Sequence, residues 1–395
     1  MTKSEFSTRW GFERSEVSLA NWREAPWSAW SFRNVSEFVP SARIAAERAE
    51  TQPAVGDPTG LFQHEIGLSD GTASATGIMA ATSTDALVVM RAGTIVAEYN
   101  KDPTAMAPHV VFSVSKSITG LLAGVAMDDG CLDPEAPVIR YVPEVQASAF
   151  GDATVRHLLD MLVSLDFSED YLTAEGDYGR YRRAVLWNPV EPGGAAGALL
   201  GFLSTLRKGR TPHGETFVYR SPVSDMLAIV VERATGRRYA DYASERLWKP
   251  LGATEDAFVT VDAVGAPRGA GGVSMTARDL ARVGELLRLG GRSPSGTRIL
   301  SESWVADTVA TGGSQRAWRA AGNAWLPDGR YRNQWYQTGY PEKAFAAIGV
   351  HGQWLYVDPS TETVIAKLSS QPLPSDDEAD RLSLDLLRHL SKAPV

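Results

Sequence analysis

One cysteine, Cys131, in a chain of 395 residues rules out an intrachain disulfide. It follows an expected helix end at Gly130, and with no base beside it in the sequence a packed thiol is the expectation. Long hydrophobic runs are also missing, since no stretch approaches the ~18 apolar residues that span a bilayer. The opening Met1-Thr-Lys-Ser-Glu-Phe-Ser-Thr-Arg-Trp10 carries no apolar core of signal-peptide length, so a cytoplasmic protein without membrane partners is expected. Basic stripes are absent too. The formal net charge is −8, and Arg180-Tyr-Arg-Arg183 and Arg207-Lys-Gly-Arg210 are short and separate, which argues weakly against nucleic acid as a partner, and none is expected. The six histidines, His64, His109, His157, His213, His351 and His389, are scattered without metal-ligand spacing. Neither His-Glu-x-x-His nor Gly-x-Ser-x-Gly occurs, so nothing calls for a metal, a cofactor or a nucleophile elbow.

What is present is an ordinary globular composition, 44% hydrophobic and 22% charged, long enough for one large or two interleaved domains. Residues 1–75 hold Trp10, Trp22, Trp27 and Trp30 without clear period and read as an irregular segment buried by its aromatics. Leu87-Val-Val-Met90 and Thr94-Ile-Val-Ala-Glu-Tyr99 read as a hairpin turning at Arg91-Ala-Gly93. From Ser113 to Asp129 the positions Ile118, Leu121, Leu122, Val125 and Ala126 follow helical spacing. Further helices are expected over Thr154–Met161, Ser224–Arg233 and from a Thr276 cap, with a flexible loop at Glu191–Gly197. The hairpin Trp354–Val357 and Val364–Leu368 precedes a leucine-rich helix capped at Ser375. Strands at both ends around a helical middle suggest a discontinuous α/β domain, 1–130 with 291–395, and a mainly helical domain over 131–290.

Phe112-Ser-Val-Ser-Lys116 places Ser113 and Lys116 three residues apart at the start of that first helix. A serine hydroxyl is a poor nucleophile until a base lies within hydrogen-bond reach, and a lysine serves if burial lowers its pKa. The helix N-terminus adds a positive field for a developing oxyanion. Spacing alone leaves a plain alternative: Ser113 as a helix cap and Lys116 as a solvated side chain.

Three further segments bear on the choice. Gly214-Glu-Thr-Phe-Val-Tyr-Arg-Ser221 puts Tyr219 two residues before a small polar residue that enters a helix. Ala347-Ile-Gly-Val-His-Gly-Gln-Trp-Leu-Tyr-Val-Asp-Pro359 reads as a glycine-bearing strand, and Gly271-Gly-Val-Ser-Met-Thr-Ala-Arg-Asp-Leu-Ala281 lies between them. In this order the chain, from about residue 80 onward, resembles the penicillin-recognising (serine β-lactamase-like) hydrolases. Within them it is most similar to the 6-aminohexanoate-dimer (nylon-oligomer) hydrolases and related carboxylesterases. Ser-Glu-Phe-Ser-Thr-Arg-Trp10, Asp166-Phe-Ser-Glu-Asp-Tyr171, Gln334-Trp-Tyr336 and Ile348-Gly-Val-His-Gly-Gln353 carry that likeness. The resemblance implies an antiparallel sheet flanked by helices with a helical insertion, a homodimer, no cofactor, and small amide or ester substrates. It also implies that Ser113 is acylated, that Lys116 takes its proton, and that Tyr219 relays it to the leaving group. By the same resemblance the N–H groups of Ser113 and Val350 form an oxyanion hole, and Tyr171 bonds the leaving nitrogen. Tyr336, Ile348, Gly349 and His351 then complete the substrate site.

Two positions depart from the pattern. The third motif normally opens with Lys or His, and here Ala347 stands there, removing a cationic anchor for β-lactams and D-Ala-D-Ala peptides. His351, four residues later, is expected on the opposite face as a packed or capping histidine. Arg220 either holds a substrate carboxylate or points to solvent. An ammonium-bearing substrate would need an acid after Tyr171, from Asp170, Glu175 or Asp177, but Arg180, Arg182 and Arg183 share that segment. The rival functions are a short-chain carboxylesterase using the same residues and a non-catalytic ligand-binding member of the fold.

Overall fold

A computed structural model describes residues 4–47, 53–68, 71–173, 175–190, 197–323 and 325–394. Its centre is a seven-stranded antiparallel sheet of β1 (Thr84–Arg91), β2 (Thr94–Asn100), β3 (Arg330–Arg332), β4 (Trp335–Gln337), β5 (Phe345–Gly349), β6 (Gln353–Asp358) and β7 (Thr363–Ser369). The spatial order is β2-β1-β7-β6-β5-β4-β3, so strands from both ends of the chain meet at the β1–β7 seam. The expected first hairpin turns tightly at Ala92 and Gly93, both at positive φ, the geometry that matches strand twist.

Almost every residue of β1, β5, β6 and β7 is buried because helices cover both faces. Alternation sorts the side chains. Val88, Phe345, Ala347, Leu355 and Val364 join one apolar cluster, while Leu87, Ala346, Trp354, Tyr356 and Ile365 join the other. Five helices frame the argument that follows: α1 (Val114–Asp128), α2 (Gly176–Ala184), α3 (Ser221–Thr235), α4 (Ala277–Arg288) and α5 (Asp377–Lys392). α1 and α4 cover the first face, and α5 with the short helix Ala75–Ala81 covers the second. Thus α4, inside the region expected to form the helical domain, packs on β1, β6 and β7, and the sheet's territory reaches below residue 290.

A second, four-stranded antiparallel sheet runs in the order Ser41–Ile44, Ala257–Thr260, Val273–Met275, His109–Val110. It ties the first 75 residues to the middle of the chain. Trp22 and Trp30 are buried as the sequence suggested, whereas Trp10 and Trp27 are only partly covered. Two expectations need correction, and a third lies mostly outside the described residues. Cys131 is exposed, because the turn after α1 leaves the protein surface there. The cap of α5 is Asp376, which accepts from Glu378 and Ala379 N–H, one residue after the expected Ser375. Residues 191–196 of the expected Glu191–Gly197 loop lie outside the described residues.

Candidate active site

Ser113 and Lys116, the expected nucleophile and base, are placed by the start of α1. Its approach is clamped: Val110 N–H bonds Phe32 O at 2.7 Å and Val111 N–H bonds Val273 O at 2.8 Å. Phe112 is then forced to φ +43, a left-handed conformation costing a bulky residue on the order of 1–2 kcal/mol. Its ring is held among Trp22, Phe32, Trp187 and His351, with centroids 4.8 to 6.3 Å away. That sharp turn throws Ser113 to the helix N-terminus. Ser113 occupies the cap position, yet its side chain makes no capping bond. Its hydroxyl lies 2.8 Å from Lys116 Nζ instead, which removes the helix-cap alternative.

Lys116 is buried, and no solvated alternative survives. Nζ also lies 3.1 Å from Ser221 Oγ and 2.8 Å from Ala270 O. A neutral amine satisfies all three contacts, donating to Ala270 O and Ser221 Oγ and accepting from Ser113 Oγ–H. Burial lowers the Lys116 pKa to about 7, with Glu169 and Asp225 pulling upward and Arg268 downward. Near neutrality a large fraction of Lys116 is therefore the free base. Tyr219, from the loop that feeds α3, stands beside Ser113, and its ring centroid is 4.7 Å from Nζ. Burial, followed by the neighbouring Tyr336 and Tyr331, raises its pKa well above the usual tyrosine value, so it stays a phenol that can donate.

Glu169 was not singled out from the sequence, although it lies two residues before Tyr171. Its carboxylate accepts from Ser221 N–H at 2.6 Å, Ser221 Oγ–H at 2.5 Å and Tyr171 O–H at 2.9 Å. A buried support lies behind it. Asp225 on α3 takes Ala270 N–H at 2.7 Å and pairs with Arg268 at 2.5 Å, fixing the carbonyl that Lys116 uses. Ser113, Ser221, Ala270 and Val350 open on one cavity of 420 Å³.

The remaining expected site residues divide. Tyr171 lines the cavity, but its hydroxyl is turned to Glu169. Gly349 lies directly under the nucleophile, where a Cβ would stand 2.7 Å from Val111 O and 3.1 Å from Ser113 N. Only glycine lets β5 approach the turn that closely. His351 sits past the end of β5 at φ +60 and lines the cavity rather than the far face, on the side that its even spacing from Ala347 gives. Burial lowers its pKa to about 4, and the neutral ring is fixed by an Nδ1–H bond to Gln371 O at 2.7 Å. Ile348 does not belong to the site. Alternation along β5 points it into the cluster beneath α5, on the other face of the sheet. Tyr336 stacks behind Tyr219 at 6.5 Å and is not a cavity wall. Arg220 folds back on Tyr219 O at 2.9 Å, also away from the cavity.

None of Asp170, Glu175 and Asp177 reaches the cavity. Asp170 closes its own turn onto Leu172 and Thr173, and Asp177 pairs with Arg180. Instead the cavity is walled by Arg23, Arg182 and Arg268, with Trp187 and the apolar Leu172 and Leu373. Tertiary folding brings these together from distant segments, and no local spacing announces them.

Sequence and structure comparisons place this arrangement among known proteins. The profile of the family described as Beta-lactamase matches residues 72–389. The chain is 38% identical over 392 residues to the 6-aminohexanoate-dimer hydrolase of Paenarthrobacter ureafaciens, covering 97% of this chain and 95% of that one. A Bacillus anthracis structure provisionally described as a 6-aminohexanoate-dimer hydrolase superposes with a TM-score of 0.85 at 24% identity, over 96% of this chain and 97% of its own. A family VIII carboxylesterase superposes with a TM-score of 0.57 at 16% identity, over 80% of this chain and 95% of its own. The two structural likenesses are likenesses of fold.

Proposed function

This chain belongs to the β-lactamase family, and from that membership we propose a serine hydrolase that cleaves small amide or ester bonds through an acyl-enzyme on Ser113. The observation that carries the reading is the 2.8 Å contact between Ser113 Oγ and the buried Nζ of Lys116. Neutral Lys116 removes the hydroxyl proton as Oγ attacks the substrate carbonyl carbon. The tetrahedral oxyanion settles against the N–H groups of Ser113, at the start of α1, and Val350, just past β5. Tyr219 gives its proton to the departing nitrogen or oxygen and recovers one from Lys116. Water then attacks the acyl carbonyl, its proton passing back along Tyr219, and Ser113 is released. Glu169 holds Ser221, and so the lysine, in register.

The relative's name makes 6-aminohexanoate-dimer hydrolysis, the nylon-oligomer reaction, the substrate to try alongside simple esters. Short-chain carboxylester hydrolysis stands as the second reading, favoured by the absence of a cavity-lining acid among Asp170, Glu175 and Asp177. A cytoplasmic setting fits the exposed free thiol of Cys131. No helix among the described residues is long and apolar enough to cross a membrane. The test is p-nitrophenyl acetate with product mass analysis. A burst of nitrophenol equal to the enzyme concentration and an acetyl adduct on the Ser113 peptide are expected, both lost in Ser113→Ala. Hydrolysis that survives that substitution refutes the mechanism. Amine release from 6-aminohexanoate linear dimer, above enzyme-free controls, separates amidase from esterase.

A further inference from the structure

Three guanidinium groups line the cavity that holds Ser113, against a single cavity-lining carboxylate, the exposed Glu24. Arg268 is neutralised by Asp225, with both side chains buried. Arg23 and Arg182 are not neutralised. Among the described residues neither has a carboxylate within ion-pair distance. Arg23 donates to Trp187 O at 2.7 Å and Asn188 Oδ1 at 2.6 Å, and Arg182 to Tyr171 O at 2.5 Å, all uncharged acceptors. Arg182 is nonetheless buried, with only 8% of its surface exposed. A buried cation without a counter-ion is costly, and the described residues offer it none. Arg268 Nε is buried as well and has no hydrogen-bond partner.

These groups are also held in place. The Arg182 guanidinium lies 4.3 Å over the Tyr178 ring, Arg23 4.9 Å over Trp22, and Arg268 4.9 Å over Trp187. Aromatic shelves of this kind orient the planar fork and leave its edge free for an anion. Crowding of like charge is evident at Arg23, whose pKa is brought down to about 9 by burial first and then by Arg182, with a smaller push from Arg268. Beside the arginines the walls are apolar: Leu172 and Leu373 are 76% and 50% exposed, flanked by Pro189, Pro372 and Pro374.

We propose that Arg23, Arg182 and Arg268 form an anion subsite, so that the preferred substrates are small amides or esters carrying a carboxylate on a short apolar chain. The carboxylate supplies the counter-ion that Arg182 and Arg23 lack, and the chain lies along the leucine and proline walls. A substrate presenting an ammonium group there is repelled by the same three cations. This inference rests on Ser113 being the nucleophile, and the experiment separates the two claims.

Three p-nitrophenyl esters of one chain length are compared: the adipate monoester, the hexanoate and the 6-aminohexanoate, ending in carboxylate, methyl and ammonium. A second pair, 4-acetoxybenzoate against phenyl acetate, moves the carboxylate to the leaving group. In at least one set the carboxylate ester is expected to lead in kcat/KM by about ten-fold, the usual scale of one charge-assisted hydrogen bond. The ammonium ester is expected to be the slowest. Arg182→Gln and, separately, Arg23→Gln are expected to bring the carboxylate-to-methyl ratio close to one. Equal rates within both sets overturn the subsite while Ser113-dependent hydrolysis stands. If no ester is cleaved, the hydrolase reading falls, and calorimetric binding of adipate decides the subsite. Binding that weakens about ten-fold in Arg182→Gln upholds it, and no binding to the unsubstituted protein overturns it.

Discussion

Glu169→Gln removes one negative charge close to the base while nearly preserving shape. Bonds of 3.1 Å from Lys116 Nζ to Ser221 Oγ and 2.5 Å from Ser221 Oγ to Glu169 Oε1 put the two charges within about 6 Å. At an effective dielectric constant of ~20 their attraction is about 3 kcal/mol, or about two pH units of lysine pKa. Solvent reaching the half-buried carboxylate reduces this, so a shift of about one to two pH units is expected. The sign follows from the chemistry. Glu169 favours the ammonium form, and the ammonium form cannot take the Ser113 proton. Without Glu169 the lysine deprotonates at lower pH. The acidic limb of kcat/KM, expected near pH 7 from the Lys116 pKa, therefore moves down, toward pH 5 to 6. The maximal rate falls as well, because the new amide group faces Ser221 N–H where a carboxylate oxygen accepted it. A pH–rate profile on p-nitrophenyl acetate, corrected for background hydrolysis, reads the midpoint independently of that loss. A midpoint that stays in place, or rises, refutes the assignment of Lys116 as the titrating base.

Tyr219→Phe removes the hydroxyl proposed to pass protons between Ser113 and the leaving group, and kcat should fall by about 10²- to 10⁴-fold with little change in Tm. A loss below ten-fold, measured on the same ester, would show that another group carries the proton. Gly349→Ala sets a methyl group 2.7 Å from Val111 O and 3.1 Å from Ser113 N, so the turn bearing the nucleophile must move. A kcat loss of at least about ten-fold is expected with the circular dichroism spectrum retained, at an overpacking cost of about 1–3 kcal/mol in unfolding. Unchanged kcat and Tm would mean that β5 does not support the site as described.

The parts of this protein that were legible in its sequence are those written in local pattern. The 92–93 turn, the helix beginning at Ser113, the Thr154 and Thr276 caps and the final hairpin each depend on a few adjacent residues, and all are present. The Ser113, Lys116 and Tyr219 trio was legible because motif order and spacing survive in one dimension. Ile348 was assigned by resemblance, and period two along β5 turns it away from the cavity, while His351, expected on the far face, lies just beyond the strand and lines the cavity. Arg23 and Arg268 were invisible for a different reason. Arg23 reaches the site because Trp22 buries against Phe112 and Trp187, and Arg268 because Asp225 waits on α3. Such placements are properties of the packed core, and no window of sequence contains both partners.

The position of Arg23 has a consequence for how the protein can change. The stretch matched by the family profile begins at residue 72, yet one wall of the cavity, with Ala20, Arg23 and Glu24, comes from before it. Part of the proposed selectivity thus lies on a different length of chain from the proposed chemistry. Ser113, Lys116 and Tyr219 lie in the shared scaffold, and part of what greets the far end of a substrate is carried by a leading segment fastened through Trp22 and the strand at 41–44. Substitutions in that segment can redraw the range of compounds accepted without disturbing the machinery that cuts them. For anyone wishing to retarget this hydrolase, positions 20, 23 and 24, with Trp22 kept as the anchor, are the place to start.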